Sequence, residues 1–246
     1  MIYIKECILT NNVLTLVKRG IIFLVIIMKP IIGVLARPYM TDNGRYVMSI
    51  LENIRKAVIK SGGIPLMILP TQNMNYLNNK ETILTDEDKE ILNSQIDLCD
   101  GILMPGGDRI YFYDKYVCSI ANKRHLPLFG ICMGMQVMCN YNNENINEKI
   151  EGHKEPKGSY IHDVKIDKSS KLYNIIQKEN ITVNSLHGYK VPNAGDYDIV
   201  ANCGDIIEAI EKKDEIFNLG VQWHPEIHFD ENDQKLFTSF INACKK

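Results

Sequence analysis

The segment from Leu126 to Gln136 constrains the fold of this chain more than any other. Its first half is rich in large apolar side chains, as in a strand buried inside a sheet, and helix-forming residues follow. Between them lies Gly-Ile-Cys-Met-Gly, in which Gly130 and Gly134 flank Cys132. Glycines at this spacing let backbone approach backbone closely. The pattern predicts a strand, a sharp turn with Cys132 at its apex, and a helix, as in the serine nucleophile elbow.

A cysteine at this apex lies at the N-terminus of a helix. The helix dipole favours an anionic sulfur there, so we expect Cys132 to be reactive. The alternative is a core cysteine that lies beside a helix start and takes no part in chemistry. The two spaced glycines, together with His224-Pro225-Glu226 further along the chain, favour the reactive cysteine.

Strand and helix patterns alternate through the first half of the chain. Pro30 to Arg37 is a continuous apolar run, and Val47 to Lys60 has the spacing of an amphipathic helix. Several short strand patterns follow in the second half, from Tyr160 to Gln222. The sequence therefore predicts an α/β protein with a doubly wound, mostly parallel central sheet, flanking helices and a small antiparallel portion.

Composition excludes several classes of partner. The 246 residues carry a net charge of −2 and no stripe of Lys and Arg, which argues against nucleic-acid binding. The seven cysteines are odd in number and scattered, without a CxxC pair or Cys/His ligand spacing. Neither a disulfide framework nor a zinc site is therefore indicated, and a reducing cytoplasm is expected.

Residues 1–27 differ in character from the rest. The apolar run from Ile21 to Met28 follows Lys18-Arg19 but is too short to span a bilayer, and no small-residue cleavage site follows it. We interpret 1–27 as an N-terminal extension, with Met28 as an alternative start. The other interpretation is a membrane anchor. Residues 28–246 show no linker and are expected to form a single domain.

Met104 to Asp108 is the second segment of interest, because paired glycines follow a short strand pattern there. Gly106 and Gly107 can present backbone N–H groups to an oxyanion. A tight turn without function is the alternative.

Two further segments lie in the second half. His224 follows an apolar strand pattern, and Glu226 comes two residues later, so a carboxylate could hold the imidazole in one tautomer while its other nitrogen faces a thiol. The alternative is an exposed turn. Asn184, Ser185 and His187 form a polar cluster that is either a substrate-contacting loop or a plain turn.

Taken in order, the segments PGGD, GICMGMQ, VNSLHG and GVQWHPE resemble those of the class I glutamine amidotransferase-like superfamily. The chain is most similar to the peptidase C26 branch, which includes γ-glutamyl-γ-aminobutyrate hydrolases. The resemblance extends from about Met28 to the C-terminus and implies a flavodoxin-like sheet.

The resemblance also implies residue roles. Cys132 would be the nucleophile, His224 the general base and acid, and Glu226 its orienting partner. Backbone N–H groups of Gly107, next to Gly106, and of Met133 would bind the oxyanion. The α-amino and α-carboxylate groups of a glutamyl substrate would be held by Gln136 and by the loop of Asn184, Ser185 and His187. Neither a metal nor an organic cofactor is expected.

Departures from the branch concern the substrate pocket. Met133 stands where the branch usually has arginine, the stretch before the elbow is short, and Asn140 to Asn147 replaces a glycine-rich run. The expected function is a cysteine-dependent hydrolase of small γ-glutamyl amides, without nucleic acid or membrane partners. The alternatives are a glutaminase subunit that feeds a synthase partner in trans and a non-catalytic binding protein on the same fold. A homodimer is left open.

Overall fold

The computed structural model describes residues 6–10, 13–18, 21–26, 28–72, 74–75, 80–142, 147–154 and 160–245. The strands are β1 (Glu6–Thr10), β2 (Val13–Lys18), β3 (Ile21–Ile26), β4 (Ile31–Leu35), β5 (Arg37–Met40), β6 (Tyr46–Ser49), β7 (Ile64–Ile68), β8 (Met74–Asn75), β9 (Lys80–Glu81), β10 (Gly101–Met104), β11 (Leu128–Ile131), β12 (Glu148–Lys149), β13 (Tyr160–Ile166), β14 (Asn180–Asn184), β15 (Tyr189–Lys190), β16 (Asp198–Cys203), β17 (Ile206–Glu211) and β18 (Asn218–Val221). The helices are α1 (Glu52–Lys60), α2 (Asp86–Asp97), α3 (Phe112–Lys123), α4 (Met133–Asn140), α5 (Lys171–Ile176), α6 (Pro225–His228) and α7 (Glu231–Ala243).

A nine-stranded sheet organises the protein, in the order β14-β13-β16-β17-β18-β11-β10-β4-β7. The five strands from β18 to β7 are parallel, and the four from β14 to β17 extend the sheet in antiparallel fashion. Numbered by chain order, the parallel strands follow the 2-1-3-4-5 order of flavodoxin-like folds. The predicted fold class is confirmed, with an antiparallel portion of four strands.

Helices cover both faces of this sheet. On one face α1, α5 and α7 bury apolar side chains such as Ile54 and Phe240. On the other face α2, α3 and α4 bury Ile96, Val117 and Met138. Because both faces are covered, the central strands β10, β11 and β18 are buried at every position. This explains why they appear in the sequence as continuous apolar runs.

The helix predicted over 47–60 was wrong in its first turns. Val47 pairs with Tyr39 across the antiparallel β5–β6 hairpin, and α1 begins only at Glu52. The hairpin turns at Gly44, whose φ is +76°, and the N–H of Thr41 donates to the carbonyl of Arg45. Asn-Gly is a strong hairpin signal, and the helical spacing of apolar residues concealed it.

The carboxyl ends of the parallel strands meet at one edge of the sheet. Arg37 lies just after β4, Pro105 after β10, Cys132 after β11 and His224 shortly after β18. In open α/β sheets this edge is where ligands bind. The topology thus gathers segments that are far apart in sequence.

Strands β1, β2 and β3 form a separate three-stranded antiparallel sheet. The proposal that 1–27 is an extension of the main domain stays a prediction. Among the described residues, none of the helices has the length and apolar character needed to cross a membrane.

Candidate active site

Cys132 occupies the apex of a strained turn between β11 and α4. Its backbone has φ 52° and ψ −109°, an unfavourable combination for a residue with a side chain, and its N–H donates to the carbonyl of Val221 at 2.8 Å. A Cβ on Gly130 would lie 2.3 Å from Sδ of Met138, and one on Gly134 would lie 1.9 Å from the carbonyl oxygen of Met104. Neither flanking position therefore has room for a side chain.

His224 and Glu226 form a buried pair beside this turn. Nδ1 of His224 lies 2.7 Å from Oε1 of Glu226, and the two residues are 8% and 3% exposed. Pro225 is the first residue of α6, where its missing N–H is tolerated. The tautomer that bonds Glu226 through Nδ1 leaves Nε2 for the thiol, and a side-chain hydrogen bond joins His224 to Cys132.

The protonation of His224 is set by its two neighbours. Burial opposes protonation, but the negative charges of Cys132 and Glu226 and their hydrogen bonds outweigh it and raise the pKa of His224 well above its usual value. The trio can therefore hold a proton on the imidazole while the sulfur is anionic, as nucleophilic attack on a carbonyl requires.

Asn184 fixes the backbone of His224. Its Oδ1 accepts from the N–H of His224 at 2.9 Å, and its Nδ2 donates to the carbonyl of His224 at 2.8 Å. Ser185 is fully buried, and its hydroxyl donates to the carbonyl of His153. Neither residue lines the cavities beside Cys132. In this structure both residues hold backbone, and their contact with a substrate stays a prediction.

The glycine turn after β10 is held by Arg37, a residue that the sequence analysis missed. Nη2 of Arg37 donates to the carbonyl of Pro105 at 2.7 Å and Nε to that of Gly106 at 3.2 Å. Because C=O and N–H point in opposite directions across a peptide, holding the carbonyl of Gly106 turns the N–H of Gly107 away from Arg37. A Cβ on Gly106 would lie 3.6 Å from Cβ of Cys132 and 2.9 Å from Cε1 of His224.

Asp114 anchors Arg37 from the opposite side. It is fully buried, pairs with Nη1 of Arg37, and accepts from the N–H of Tyr111 at 2.9 Å. Burial is the main cause that raises the pKa of Asp114, with Arg37 opposing it. A buried acid–base pair is costly unless both partners are satisfied, so this one is maintained by its additional hydrogen bonds to the backbone. The signal available in the sequence was Arg37 itself, a charged residue two positions after the end of the buried strand β4.

Two cavities flank Cys132. The first, about 500 Å³, is lined by Met133, Gln136 and the stretch from Leu186 to Tyr189. The second, about 610 Å³, lies on the side of His224 and Arg37. Gly107, Asp108, Arg109, Cys132, Lys154 and Leu186 line both. A substrate that spans them would pass directly over the sulfur.

Gln136 and His187 are in the wall of the first cavity with most of their polar atoms in use. Nε2 of Gln136 donates to the carbonyl of Tyr189 and to Gln222, both at 3.1 Å, and its Oε1 accepts from Asn147 at 2.9 Å. Nδ1 of His187 lies 3.0 Å from the carbonyl oxygen of Tyr189. Burial lowers the pKa of His187 to about 4, so this imidazole is neutral near pH 7. Direct contact of either with a substrate stays a prediction.

The sequence is similar to those of several known proteins. The family model of peptidase C26 matches residues 112–226, which include Cys132 and end at Glu226. The Schizosaccharomyces pombe (strain 972) protein PB2B2.05, named as a glutamine amidotransferase, is 31% identical over 224 residues, covering 77% of this chain and 80% of the relative. The γ-glutamyl-γ-aminobutyrate hydrolase PuuD of Escherichia coli (strain K12) is 24% identical over 256 residues, covering 88% and 94%.

The fold is shared with solved structures. The glutaminase domain of Trypanosoma brucei CTPS, solved with bound acivicin, superposes with a TM-score of 0.58 at 19% identity, over 87% of this chain and 93% of that one. At this identity the likeness concerns the fold alone.

Proposed function

The chain belongs to the class I glutamine amidotransferase-like superfamily, in its peptidase C26 branch, and from this premise we propose that it hydrolyses small γ-glutamyl amides such as γ-glutamyl-γ-aminobutyrate. The observation that carries the proposal is the strained turn that places Cys132 against the His224–Glu226 pair, between two cavities. Acyl transfer to a thiol is the chemistry that such a trio performs.

In the first half-reaction the sulfur of Cys132 attacks the γ-carbonyl carbon of the substrate. The carbonyl oxygen becomes an oxyanion, which the N–H groups of Gly107 and Met133 would bind. The N–H of Met133 is available because it lies in the first turn of α4, where no intrahelical acceptor exists. Each well-placed donor is worth about 3–4 kcal/mol to the transition state. His224 then gives its proton to the leaving amine, and a γ-glutamyl thioester remains on Cys132.

In the second half-reaction water attacks the thioester, and the carbon–sulfur bond breaks to release glutamate and the thiolate of Cys132. The sulfur of the thioester carries no charge, so the strongest influence that raises the pKa of His224 disappears, and its pKa falls. His224 can then act as a base toward water while Glu226 holds its orientation. The same residue thus serves as acid and as base because acylation changes its neighbour.

We assign the glutamyl group to the first cavity and the amine to the second. The first contains Gln136 and Met133, and the second contains His224, the donor of the proton that the amine must receive. Arg109 and Lys154 line both cavities together with Asp108, and these two positive charges outweigh the one negative charge, which favours carboxylates on both halves of the substrate. This supports an amine that itself carries a carboxylate, as γ-aminobutyrate does.

The pH profile should report the protonation of His224. Loss of the proton that His224 donates produces the alkaline limb of kcat/KM. In Glu226→Gln the negative charge that helps to raise the pKa of His224 is gone, so the limb is expected to move to lower pH. The measurement is kcat/KM across pH for wild type and Glu226→Gln. An unmoved alkaline limb would show that Glu226 does not control the proton on His224.

The second candidate is a glutaminase that supplies ammonia to a synthase partner. Met133, which follows the nucleophile in place of the arginine usual in the γ-glutamyl hydrolase branch, favours it. Such a protein would turn over free glutamine slowly by itself and faster with its partner.

Glutamate release from a matched set of substrates separates the two functions. The set consists of γ-glutamyl-γ-aminobutyrate, γ-glutamyl-propylamide, which lacks the second carboxylate, and glutamine. We expect kcat/KM to be at least about tenfold higher for γ-glutamyl-γ-aminobutyrate than for either of the other two. A tenfold difference corresponds to about 1.4 kcal/mol. Slow turnover of glutamine alone would favour the synthase partner. Equal rates for the two γ-glutamyl amides would exclude recognition of the second carboxylate.

A further inference from the structure

A second group of reactive side chains lies outside the Cys132–His224–Glu226 trio. We call it the histidine cluster: His153, His162 and Cys203, with Glu208 beside them. One side-chain donor atom from each of the first three lies within 4.8 Å of those of the other two. The rings of His153 and His162 are 4.9 Å apart between centroids. The proposed hydrolysis uses none of these four residues.

Five polar atoms of the cluster are buried, and most of them have no hydrogen-bond partner. They are Nε2 of His153, both ring nitrogens of His162 and both carboxylate oxygens of Glu208. Glu208 is 0% exposed. Nε2 of His162 lies 3.1 Å from Oε1 of Glu208, close enough for the carboxylate to orient the ring, whereas Nε2 of His153, Nδ1 of His162 and Oε2 of Glu208 have no hydrogen-bond partner. Buried polar groups are almost always paired, so three atoms without any partner in one place indicate a missing one.

We propose that His153, His162 and Cys203 bind a zinc ion, with Glu208 as the carboxylate that orients His162. Two imidazoles and one thiolate are a ligand set that zinc prefers over magnesium or calcium. Nδ1 of His153 faces the carbonyl of Glu151 at 3.3 Å, which turns Nε2 inward. A carboxylate opposite a ligating histidine is the usual outer partner, and it fixes which ring nitrogen meets the metal.

The distances suit a site that closes on its ion. Bonds of about 2.0–2.3 Å from zinc to nitrogen and sulfur place tetrahedral ligand atoms roughly 3.5 Å apart. From separations of up to 4.8 Å, the three donor atoms must therefore draw together by about 1.3 Å at most on binding. His153 and Cys203 are only half-buried, which leaves a route for the ion to enter and room for water as fourth ligand.

The ion would connect three separate parts of the fold. His162 lies on β13, Cys203 ends β16, and His153 lies in a segment bound to the loop after β14. The carbonyl of His153 accepts from the N–H of His187 at 3.0 Å, and Lys154 pairs with Leu186 in an isolated bridge. Lys154 and Leu186 line both cavities. Zinc binding would thus fix a wall of the candidate active site without touching the reacting atoms.

Cobalt titration of the full chain tests the proposal independently of activity. The metal-free protein should bind one equivalent of Co²⁺ with a thiolate-to-cobalt charge-transfer band, and Zn²⁺ should displace it. Cys203→Ser should lose the band, and Glu208→Gln should bind about 10–100-fold more weakly. Cys132→Ala is the matched control and should keep the band. A missing band, or one that is lost in Cys132→Ala and kept in Cys203→Ser, would overturn the site.

Thermal unfolding gives a second measurement. At a hundredfold excess of zinc over its Kd, Tm should rise by roughly 5–10 °C in wild type and in Cys132→Ala. Cys203→Ser is close in size to the native residue at a half-buried strand end, so it should fold, and its Tm should not respond. An equal rise of Tm in Cys203→Ser would place the ion elsewhere.

Discussion

Replacing Cys132 with alanine is expected to abolish glutamate release, lowering kcat by about 10⁴-fold or more. The reason is that no other thiol or hydroxyl side chain lines both cavities, among the residues that the structure describes. Water could attack directly, but it would lack the thioester that divides the reaction into two easier steps. Acid-quenched wild-type protein should carry the mass of a γ-glutamyl adduct, and Cys132→Ala should carry none.

Cys139→Ala is the matched control, because Cys139 is a buried cysteine on the same helix, α4. Its loss should leave glutamate release within a few-fold of wild type. Release that persists in Cys132→Ala would end the nucleophile assignment.

Cys132→Gly tests the strain in the turn, because glycine tolerates φ 52° and ψ −109° better than alanine. We expect it to be inactive but about 1 kcal/mol more stable than Cys132→Ala.

The turn around Cys132 could be predicted from sequence because its constraints are local. Gly130 and Gly134 lie two positions from the cysteine, and close approach of backbones requires both to lack a side chain. The apolar run before them is equally informative, since a strand covered by helices on both faces must be apolar throughout. The alternation of strands and helices predicts a parallel, doubly wound sheet, whereas the flavodoxin-like order of its strands is implied by the family resemblance.

Contacts between distant segments could not be predicted in this way. Arg37 and Asp114 meet only because β4 and β10 are neighbours in the sheet, and α3 follows β10. Asn184 belongs to a polar cluster whose direction depends on an irregular register between β13 and β14. A one-residue slip turns a strand's side chains to the opposite face, so sequence alone does not decide whether Asn184 faces a cavity or His224.

Gly134→Ala is expected to have the largest effect on stability. In an open helix this change would be favourable by about 1 kcal/mol, because alanine is the better helix former. Here the new Cβ would lie 1.9 Å from the carbonyl oxygen and 2.7 Å from the carbonyl carbon of Met104. The obstacle is backbone at the end of a fully buried strand, β10, which no change of rotamer can relieve. We therefore expect a loss of about 3 kcal/mol or more in the free energy of unfolding.

Gly188→Ala is the control for this prediction, since a Cβ at Gly188 would meet nothing within 4 Å. Its free energy of unfolding, measured by urea denaturation, should stay within about 0.5 kcal/mol of wild type.

Gly134→Ala should also lose activity in buffer without urea, where the protein is still folded. Relieving the clash means separating α4 from β10, and these two elements carry Cys132 and the Gly106-Gly107 turn. A stable and fully active Gly134→Ala protein would show that this close approach is not needed to form the site.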